Sequence, residues 1–281
     1  MIKSVLITGA SKGIGRACAL HMQHQGWRVF AGVRKQADAN DLDRESSGAI
    51  RPVFMDVTVL PMIDDAVKTI MEETGDAGIQ GLVNNAGVAW FGPLEFLPLE
   101  DYRMQFEINV LGQIAVTQGF LPLIRKGRGR IVNMASMSGR FASPLLSPYA
   151  ASKFALEAVS DALRRELVPW RIHVAVIEPG KIATPIWEKT RAQGEALRAR
   201  LPDRALELYG PMLMKADELS SQNDDRGLAP QRVAKAVAHA LIARRPRTRY
   251  PVGLDSWGIH LATRLLSDKT LDWFTRLRLA I

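Results

Sequence analysis

The sequence predicts a doubly wound α/β fold with a parallel sheet. Short apolar runs of strand length alternate with longer amphipathic segments from residue 4 to residue 178. Continuous apolar strands separated by helices are typical of a parallel sheet covered by helices on both faces. In addition, a turn containing Gly9, Gly13 and Gly15 joins the first apolar run to the first helical segment. These observations favour a Rossmann-like sheet.

The elements follow from this pattern in chain order. Six apolar runs are predicted as strands: Ser4–Thr8, Arg28–Gly32, Ile50–Met55, Gly81–Asn84, Arg130–Met134 and His173–Glu178. The amphipathic segments between them are predicted as helices: Gly13–Gln25, Pro61–Thr74, Tyr102–Leu123 and Tyr149–Leu167. A later helix, Pro230–Ala243, precedes Arg249–Val252, which we predict as the last edge strand.

A single catalytic domain is predicted over residues 1–253, because 281 residues, 47% of them hydrophobic, suit one substantial core. Within it, residues 182–228 are rich in helix formers and charge, and Gly194, Pro202, Gly210 and Pro211 interrupt them. We interpret this region as a helical flap over the substrate site.

Residues 254–281 are predicted to form an amphipathic tail. Trp257, Leu261 and Leu265 share one helical face, and a second apolar cluster follows: Leu271, Trp273, Phe274, Leu277 and Ile281. Three interpretations are open: a cover on the core, a subunit contact, or an interfacial membrane helix. Interleaved cations suit an anionic lipid surface: Arg264, Lys269, Arg276 and Arg278. Core cover or subunit contact is the more common fate of such segments.

Composition restricts the classes of partner and the compartment. A single cysteine, Cys18, excludes an intrachain disulfide and favours a reducing compartment. Without a long apolar stretch or a signal-peptide pattern, we expect a cytoplasmic protein. The net charge of +8 comes with scattered arginines and no nucleic-acid-binding motif, so no nucleic-acid partner is expected. The five histidines form no ligand-like cluster, so no metal is expected.

The glycine turn predicts a dinucleotide site. Glycine lets the backbone approach a phosphate, and a helix N-terminus attracts anions. The predicted contacts are Thr8, Gly9, Ser11, Lys12, Gly13, Ile14 and Gly15. The spacing is GxxxGxG, and the alternative is a simple tight turn between strand and helix.

The end of the second strand favours NADP(H) over NAD(H). It carries no carboxylate and is followed by Arg34 and Lys35, while Lys12 lies at the same corner. Arginine can grip a 2′-phosphate that a carboxylate would repel. Alternatively, both cations are ordinary solvated residues. Asp56 and its neighbour Val57 are assigned to the same site; Asp56 would accept a hydrogen bond from the adenine amino group, or else cap a turn.

A second motif predicts acid–base chemistry. Tyr149 and Lys153 are four residues apart and share a helical face. Ser136 lies thirteen residues before Tyr149, at the carboxyl end of the fifth strand, and Ser138 is its rival. A nearby ammonium is expected to lower the pKa of the tyrosine from about 10 toward the working pH. Such a phenol suits proton transfer to a carbonyl or from an alcohol.

These motifs together resemble the single-domain short-chain dehydrogenase/reductase family over residues 3–185. The order TGASKGIG, NNAG, Asn109, Ser136, YAASK and Pro179-Gly180 followed by Thr184 carries the resemblance. It implies an oxidoreductase in which Tyr149 is the acid/base and Lys153 binds the nicotinamide ribose and lowers the tyrosine pKa. Ser136 would hold the substrate oxygen, and Asn109 would anchor a water leading to Lys153.

The same resemblance implies further cofactor contacts and an assembly. Ile182 and Thr184 would contact the nicotinamide end, with Pro179 and Gly180 beside them, and the central part would lie on Asn84, Ala86 and Gly87. Because family members usually assemble through the helices that contain Asn109 and Tyr149, a homodimer or homotetramer is expected.

Residues Val88–Pro93 and the long tail resemble the branch of 17β-hydroxysteroid and retinol dehydrogenases. The resemblance implies a bulky apolar alcohol or ketone as substrate. Seven side chains are candidates for an apolar pocket or for ordinary packing under a flap: Trp90, Phe91, Phe141, Leu145, Leu146, Ile186 and Trp187. The competing functions are a catalytically weak NADP(H)-binding regulatory or interaction protein, and another chemistry such as epimerisation.

Overall fold

The computed structural model of the chain describes residues 2–185, 194–195, 197–221 and 227–279. In this part of the chain, seven parallel strands form one sheet in the order β3-β2-β1-β4-β5-β6-β7. The strands are Ser4–Ile7 (β1), Arg28–Val33 (β2), Ile50–Phe54 (β3), Gly81–Asn84 (β4), Arg130–Met134 (β5), His173–Pro179 (β6) and Arg249–Val252 (β7). The predicted doubly wound fold is confirmed.

The described helices cover both faces of the sheet. They are Gly13–His24 (α1), Gln36–Ser46 (α2), Leu60–Thr74 (α3), Leu99–Phe106 (α4), Gly112–Gly127 (α5), Ser147–Glu166 (α6), Asp203–Ser221 (α7), Pro230–Ile242 (α8), Leu254–Leu265 (α9) and Asp268–Leu279 (α10). The sequence prediction omitted α2, in which polar residues outnumber the buried Ala39 and Leu42.

The core divides into two layers because alternate residues of a strand point to opposite faces. Val5 and Ile7 pack in the layer that contains Met22 of α1. Leu6, between them, packs in the opposite layer with Phe120 of α5. Burial on both faces explains the nearly continuous apolar sequences of inner strands such as β1, β4, β5 and β6.

The order of strands reverses between β1 and β4, since the chain builds β2 and β3 on one side of β1 and continues with β4 on the other. In such sheets the connections after the two central strands leave in opposite directions and open a crevice at their carboxyl ends. The predicted functional residues follow these ends.

Both the flap and the tail contain helices, with α7 in the former and α9 and α10 in the latter. Ile186 and Trp187 of the predicted pocket, Ile281 of the tail and the side chain of Arg278 lie outside the described residues. The division into a catalytic domain and a tail stays a prediction.

Candidate active site

The turn after β1 has room only for glycine at two positions. Gly9 has a φ of +63°, and a Cβ there would lie 2.8 Å from the Ala86 Cα. A Cβ on Gly15 would lie 2.3 Å from the Gly9 carbonyl oxygen and 2.5 Å from Asn85 Nδ2. The helix that follows begins at Gly13, and no side chain caps it among the described residues. Its first amides are therefore available to an anion.

Two side chains fasten this turn to the end of β4. The Thr8 hydroxyl accepts hydrogen bonds from the backbone amides of Asn85 at 2.9 Å and Ala86 at 3.0 Å. Asn85 Nδ2 donates to the carbonyl oxygens of Thr8 at 2.9 Å and Gly9 at 3.1 Å. Asn85 is not among the residues predicted from sequence, although its place beside Asn84 in the NNAG motif was a signal.

The side chain of Asn84 forms hydrogen bonds to two neighbouring elements. Its side chain is buried and donates to Thr117 Oγ1 and Asn133 Oδ1, both at 2.9 Å. Alternation along β4 turns this amide toward α5, so the side chain joins adjacent elements, and the predicted cofactor contact of Asn84 stays a prediction for its backbone. Just beyond the strand, Ala86 lies against Gly9 of the turn, and Gly87 lies against Asn109.

At the far side of the crevice, Arg34 and Asp56 form an ion pair of 3.2 Å. Asp56 Oδ1 also accepts from the backbone amide of Thr58 at 3.0 Å and from its hydroxyl at 2.8 Å. Partial burial acts to raise the pKa of Asp56, but the hydrogen bonds from Thr58 and Arg34 outweigh it and lower that pKa. The turn-capping alternative for Asp56 is thus present in the structure.

Val57, assigned to the cofactor site from sequence, has its side chain in the core. It is buried among the residues of the layer that contains Phe120. It also packs so closely on Gly112 that a Cβ there would lie 2.8 Å from Val57 Cγ2. Packing between the loop and α5 therefore accounts for this side chain.

The structure brings Ser136, Tyr149 and Lys153 together at the carboxyl end of β5. Ser136 follows this strand, while Tyr149 and Lys153 lie one turn apart on α6, and all three are buried. The Ser136 hydroxyl is close enough to the Tyr149 hydroxyl to act on the pKa of the phenol. Lys153 Nζ lies 5.7 Å from the centre of the Tyr149 ring and donates to the Met134 carbonyl at 2.7 Å.

The pKa of Tyr149 moves opposite to the direction expected from the sequence. Burial raises it, and the Ser136 hydroxyl only partly opposes that change. Burial also lowers the pKa of Lys153 to about 8, although the charge of Glu157 acts to raise it. The reason for the difference is desolvation, which penalises both the phenolate and the ammonium.

Ser138 has a supporting role at this strand end. Its backbone amide donates to Ser136 Oγ at 3.1 Å, and both serines are buried. This bond fixes the side chain of Ser136 at the start of a short 3₁₀ turn, Met137–Gly139. The geometry favours Ser136 as the serine that faces Tyr149.

Asn109 lies in a π-helical turn, Glu107–Leu111, that separates α4 from α5. The sequence predicted one continuous helix, Tyr102–Leu123, through this point. The Asn109 amide accepts from the Val88 amide at 2.9 Å and donates to the Val88 carbonyl at 3.0 Å and to Ser152 Oγ at 3.1 Å. Its side chain joins the loop after β4 to α6, and it makes no direct bond to Lys153.

The segment after β6 closes over the glycine turn. Thr184 lies against Gly13, where a Cβ would approach its Cγ2 to 3.2 Å. Ile182 is buried and pairs with Leu228 at the far end of the flap. Gly180, by contrast, faces the tail, because a Cβ there would lie 2.0 Å from Asp255 Oδ1. Pro179 ends β6.

An apolar wall borders the loop after β4 on the flap side. The Gly92 amide donates to the Leu145 carbonyl at 2.8 Å, and a Cβ on Gly92 would lie 2.5 Å from Leu197 Cδ2. Phe91 approaches Gly194. Of the pocket candidates, Leu145 is buried, and the others that the structure describes are half-buried: Trp90, Phe91, Phe141 and Leu146.

In the described ranges, no group of three or more His, Cys, Asp and Glu side chains is arranged to hold a metal ion. Across those same ranges, no helix combines the length and apolar character needed to cross a membrane. Cys18 is buried, and burial raises the pKa of its thiol to about 12, so its role is packing.

The family model described as short chain dehydrogenase matches residues 3–195 of this chain. The chain belongs to the short-chain dehydrogenase/reductase family. It is an oxidoreductase of the class that interconverts alcohols and carbonyl compounds with a nicotinamide cofactor.

Several proteins resemble this short-chain dehydrogenase/reductase over most of their length. NADPH-dependent 3-dehydrocapnine reductase of Ornithobacterium rhinotracheale is 34% identical, covering 96% of this chain and 95% of the relative. Mitochondrial D-beta-hydroxybutyrate dehydrogenase of Bos taurus is 38% identical, covering 88% and 76%. Retinol dehydrogenase 5 of Mus musculus is 36% identical, covering 95% and 86%. The predicted likeness to retinol dehydrogenases is confirmed.

Among solved structures, a short-chain dehydrogenase from Streptomyces avermitilis superposes with a TM-score of 0.77 at 26% identity, covering 99% of this chain and 98% of the other. The match includes the tail, so the short-chain dehydrogenase/reductase fold extends over the described chain.

In this short-chain dehydrogenase/reductase, a buried charge cluster lies one turn beyond Lys153. Glu157 Oε2 accepts from Arg140 and Arg249, each at 3.0 Å. Arg140 also donates to Glu178 at 2.8 Å, and His260 of the tail lies 3.2 Å from the second oxygen of Glu178. Burial and the neighbouring charge of Glu178 raise the pKa of Glu157 to about 8. The cluster joins α6, β6, β7 and α9.

Proposed function

We propose that this oxidoreductase uses NADP(H) to interconvert a bulky, apolar secondary alcohol and its ketone. The observation that carries the proposal is the meeting of Ser136, Tyr149 and Lys153 beside a turn that has no space for side chains at Gly9 and Gly15. Tight glycines and an uncapped helix N-terminus fit a dinucleotide phosphate. When bound, the cofactor supplies or accepts the hydride.

The three side chains would divide the remaining work. In ketone reduction, the Tyr149 hydroxyl donates its proton to the substrate oxygen, and in alcohol oxidation the phenolate accepts it. The Ser136 hydroxyl donates a hydrogen bond to the same oxygen as negative charge develops there. Lys153 would bind the cofactor ribose, and its ammonium favours the phenolate by charge. Asn109 would hold the loop at Val88 in place.

The preference for NADP(H) rests on the corner after β2. Arg34 is largely exposed there, β2 ends without a carboxylate, and Lys35 immediately precedes the next helix. Arg34 already pairs with one carboxylate, Asp56, and a 2′-phosphate offers it a second anionic partner. The similarity to an NADPH-dependent reductase supports the same choice.

Cofactor binding tests this preference by fluorescence titration with NADPH and NADH. We expect tighter binding of NADPH, and Arg34→Glu should weaken it by about tenfold or more while changing NADH binding little. Arg51→Glu is the matched control, since Arg51 is similarly exposed and also forms one ion pair on the neighbouring strand. Equal or better binding of NADH by the unaltered protein would contradict the preference.

The substrate class rests on the apolar wall that Phe91, Leu145 and Leu197 help to form. Retinol dehydrogenase 5, a relative over most of the chain, supports a bulky apolar substrate. Turnover should be measured across steroids, retinoids, aromatic ketones and short hydroxy acids, with both cofactors. Activity confined to short hydroxy acids would contradict the substrate class, and binding without turnover of any compound would favour the regulatory alternative.

The proposed assembly is a homodimer or homotetramer through the helices that carry Asn109 and Tyr149. Exposed apolar side chains in this helical region support it: Met104, Leu111 and Phe154. Light scattering with and without Phe154→Glu tests it, because a monomer in the unaltered protein would contradict the assembly. The compartment we propose is the cytoplasm, which the single buried cysteine supports.

A further inference from the structure

The tail helix α9 presents a continuous apolar stripe to solvent. Leu254, Trp257, Leu261 and Leu265 are exposed by 92%, 50%, 57% and 71%. Since successive residues are about 100° apart around a helix, these four side chains fall within about 80° of one another. The stripe borders an open cavity of about 520 Å³, lined by Trp257, Gly258, His260, Leu261 and Arg264. Within the chain, nothing described covers it.

The next helix, α10, repeats the arrangement. Trp273, Phe274 and Leu277 are exposed, and the rings of Trp273 and Phe274 pack edge-on with centres 4.9 Å apart. Large aromatic side chains exposed in this way are common where a protein meets a membrane interface. The apolar side chains that these two helices turn to solvent therefore do not cover the core, whereas the opposite face of α9 packs on the domain.

Positive charges border the apolar face in a fixed order. Around α10, Lys269 and Arg276 fall between the apolar side chains and the acidic pair Asp268 and Asp272. Arg264 flanks the stripe of α9 in the same way. All three cations are exposed, and none forms an ion pair with another described residue. Cations next to an apolar face suit a surface that offers anionic headgroups and acyl chains together.

The tail is fastened to the catalytic domain and is not a loose extension. Asp255 accepts a hydrogen bond from the Lys181 amide at 2.7 Å, and the Ser256 hydroxyl donates to the Glu178 carbonyl at 2.6 Å. These bonds lie at the first turn of α9, so the apolar stripe is presented in a defined orientation. A preordered surface loses less conformational entropy when it binds.

Charge argues against a second copy of this chain as the occupant. A symmetric dimer through the tail would bring the same unpaired cations of two chains together, and each chain carries a net charge of +8. Like charges at an interface oppose association. An anionic bilayer instead attracts the rim and accepts the apolar side chains.

We propose that residues 254–277 form a peripheral attachment surface for an anionic lipid bilayer. In this arrangement Trp257, Leu261, Leu265, Trp273, Phe274 and Leu277 enter the headgroup region, and Arg264, Lys269 and Arg276 contact the lipid phosphates. Attachment does not depend on turnover, so it can fail or succeed independently of the enzymatic proposal.

Vesicle sedimentation of the full-length protein tests the surface. Binding is expected for vesicles of phosphatidylcholine mixed with phosphatidylserine, to decrease by about tenfold or more for phosphatidylcholine alone, and to weaken at high salt. Leu277→Glu should weaken binding to the mixed vesicles by about tenfold or more. Leu60→Glu is the matched control, because Leu60 on α3 has nearly the same exposure, 63% against 61%.

A second pair of variants separates charge from apolar contact. The double change Lys269→Glu and Arg276→Glu should abolish the difference between the two vesicle types, whereas Lys68→Glu on α3 should leave it. Circular dichroism and turnover of a water-soluble ketone verify that each variant is folded. Three results would overturn the proposal: no vesicle binding by the unaltered protein, binding that Leu277→Glu leaves unchanged, or a dimer that Leu277→Glu dissociates while vesicle binding is absent.

Discussion

Two neighbouring segments of helix α6 bury ionisable side chains beside different kinds of partner. The first segment carries Tyr149 and Lys153, whose polar atoms lie near a serine hydroxyl and a backbone carbonyl. The second segment carries Glu157, which accepts hydrogen bonds from two arginines. The side chains of both segments are buried to a similar degree, so burial alone does not explain the difference.

One part of α6 therefore supplies candidate reacting groups, and the next part stabilises the fold. A buried carboxyl group with two arginine partners is held in place, because removing one partner of such a group is costly. A buried phenol and amine held only by neutral hydrogen-bond partners remain free to gain a charged or reacting partner. In the function proposed above, that partner is the substrate with its cofactor.

The largest expected effect in the segment that carries Tyr149 and Lys153 is that of Tyr149→Phe. It removes the proton donor and leaves the ring, so turnover should fall by about 10²- to 10⁴-fold while NADPH binding changes little. Steady-state kinetics and fluorescence titration measure the two quantities. Tyr250→Phe is the control. Tyr250 lies on the last strand, where its hydroxyl accepts a hydrogen bond from the Arg247 amide, away from Ser136. Near-normal turnover in Tyr149→Phe would remove the acid–base role.

Ser136→Ala tests the partner of that phenol. Loss of a hydrogen bond to developing charge should lower kcat by about 10²- to 10³-fold. Ser138→Ala should have a much smaller effect, because Ser138 contributes its backbone amide to Ser136. If the Ser138 variant lost the greater share of activity, the assignment of the two serines would be reversed.

Glu157→Gln tests the role of the buried Glu157 carboxyl group through the pH dependence of the free energy of unfolding. The unfolded carboxyl ionises near its ordinary value of 4.5, whereas the folded one keeps its proton to about 8. The folded state therefore binds the extra proton between these values, and the free energy of unfolding should decrease as pH rises across this window. Replacement by Gln should flatten the decrease, by about 1–3 kcal/mol between about pH 5.5 and about pH 8.

Urea denaturation at the two pH values measures this effect. Glu166→Gln, at the exposed end of the same helix, should leave the decrease unchanged. A slope that persists in the Glu157 variant would show that other groups cause it.

Asp255→Ala tests whether the tail helix α9 also positions the segment that borders the cofactor crevice. Asp255 accepts the Lys181 amide just before Ile182 and Thr184, so its loss should loosen that segment. The KM for NADPH should rise by about three- to tenfold, with a smaller change in kcat. Asp272→Ala, exposed on the next helix, is the control. Equal KM values for NADPH in the two variants would show that Asp255 of the tail does not position the crevice.

Much of the fold was predictable because it rests on local patterns. Apolar runs located six of the described strands, and Arg249–Val252 was predicted as the last edge strand. The spacing of Ser136, Tyr149 and Lys153 located three side chains that the structure brings together. Helix α2 was not predictable from periodicity, since only a few of its residues face the core.

Other features depend on contacts between distant parts of the chain. The bonds of Glu157 to Arg140 and Arg249 span 17 and 92 residues, and no local spacing announces them. The raised pKa of Tyr149 likewise follows from the depth at which α6 is packed, which the spacing of Tyr149 and Lys153 does not encode. Asn84 and Asn85 are adjacent and polar, and only the register of β4 decides which one reaches the glycine turn.

The wide turn at Glu107–Leu111 shows how a single residue sets the orientation of a whole segment. A π turn arises from one extra residue within a helix. Deleting one residue there would let α4 and α5 merge, and it would rotate everything before the deletion by about 100° about the helix axis. Asn109 would then turn away from Val88 and Ser152. Insertions and deletions in this stretch should therefore be tolerated far less than substitutions on its exposed side.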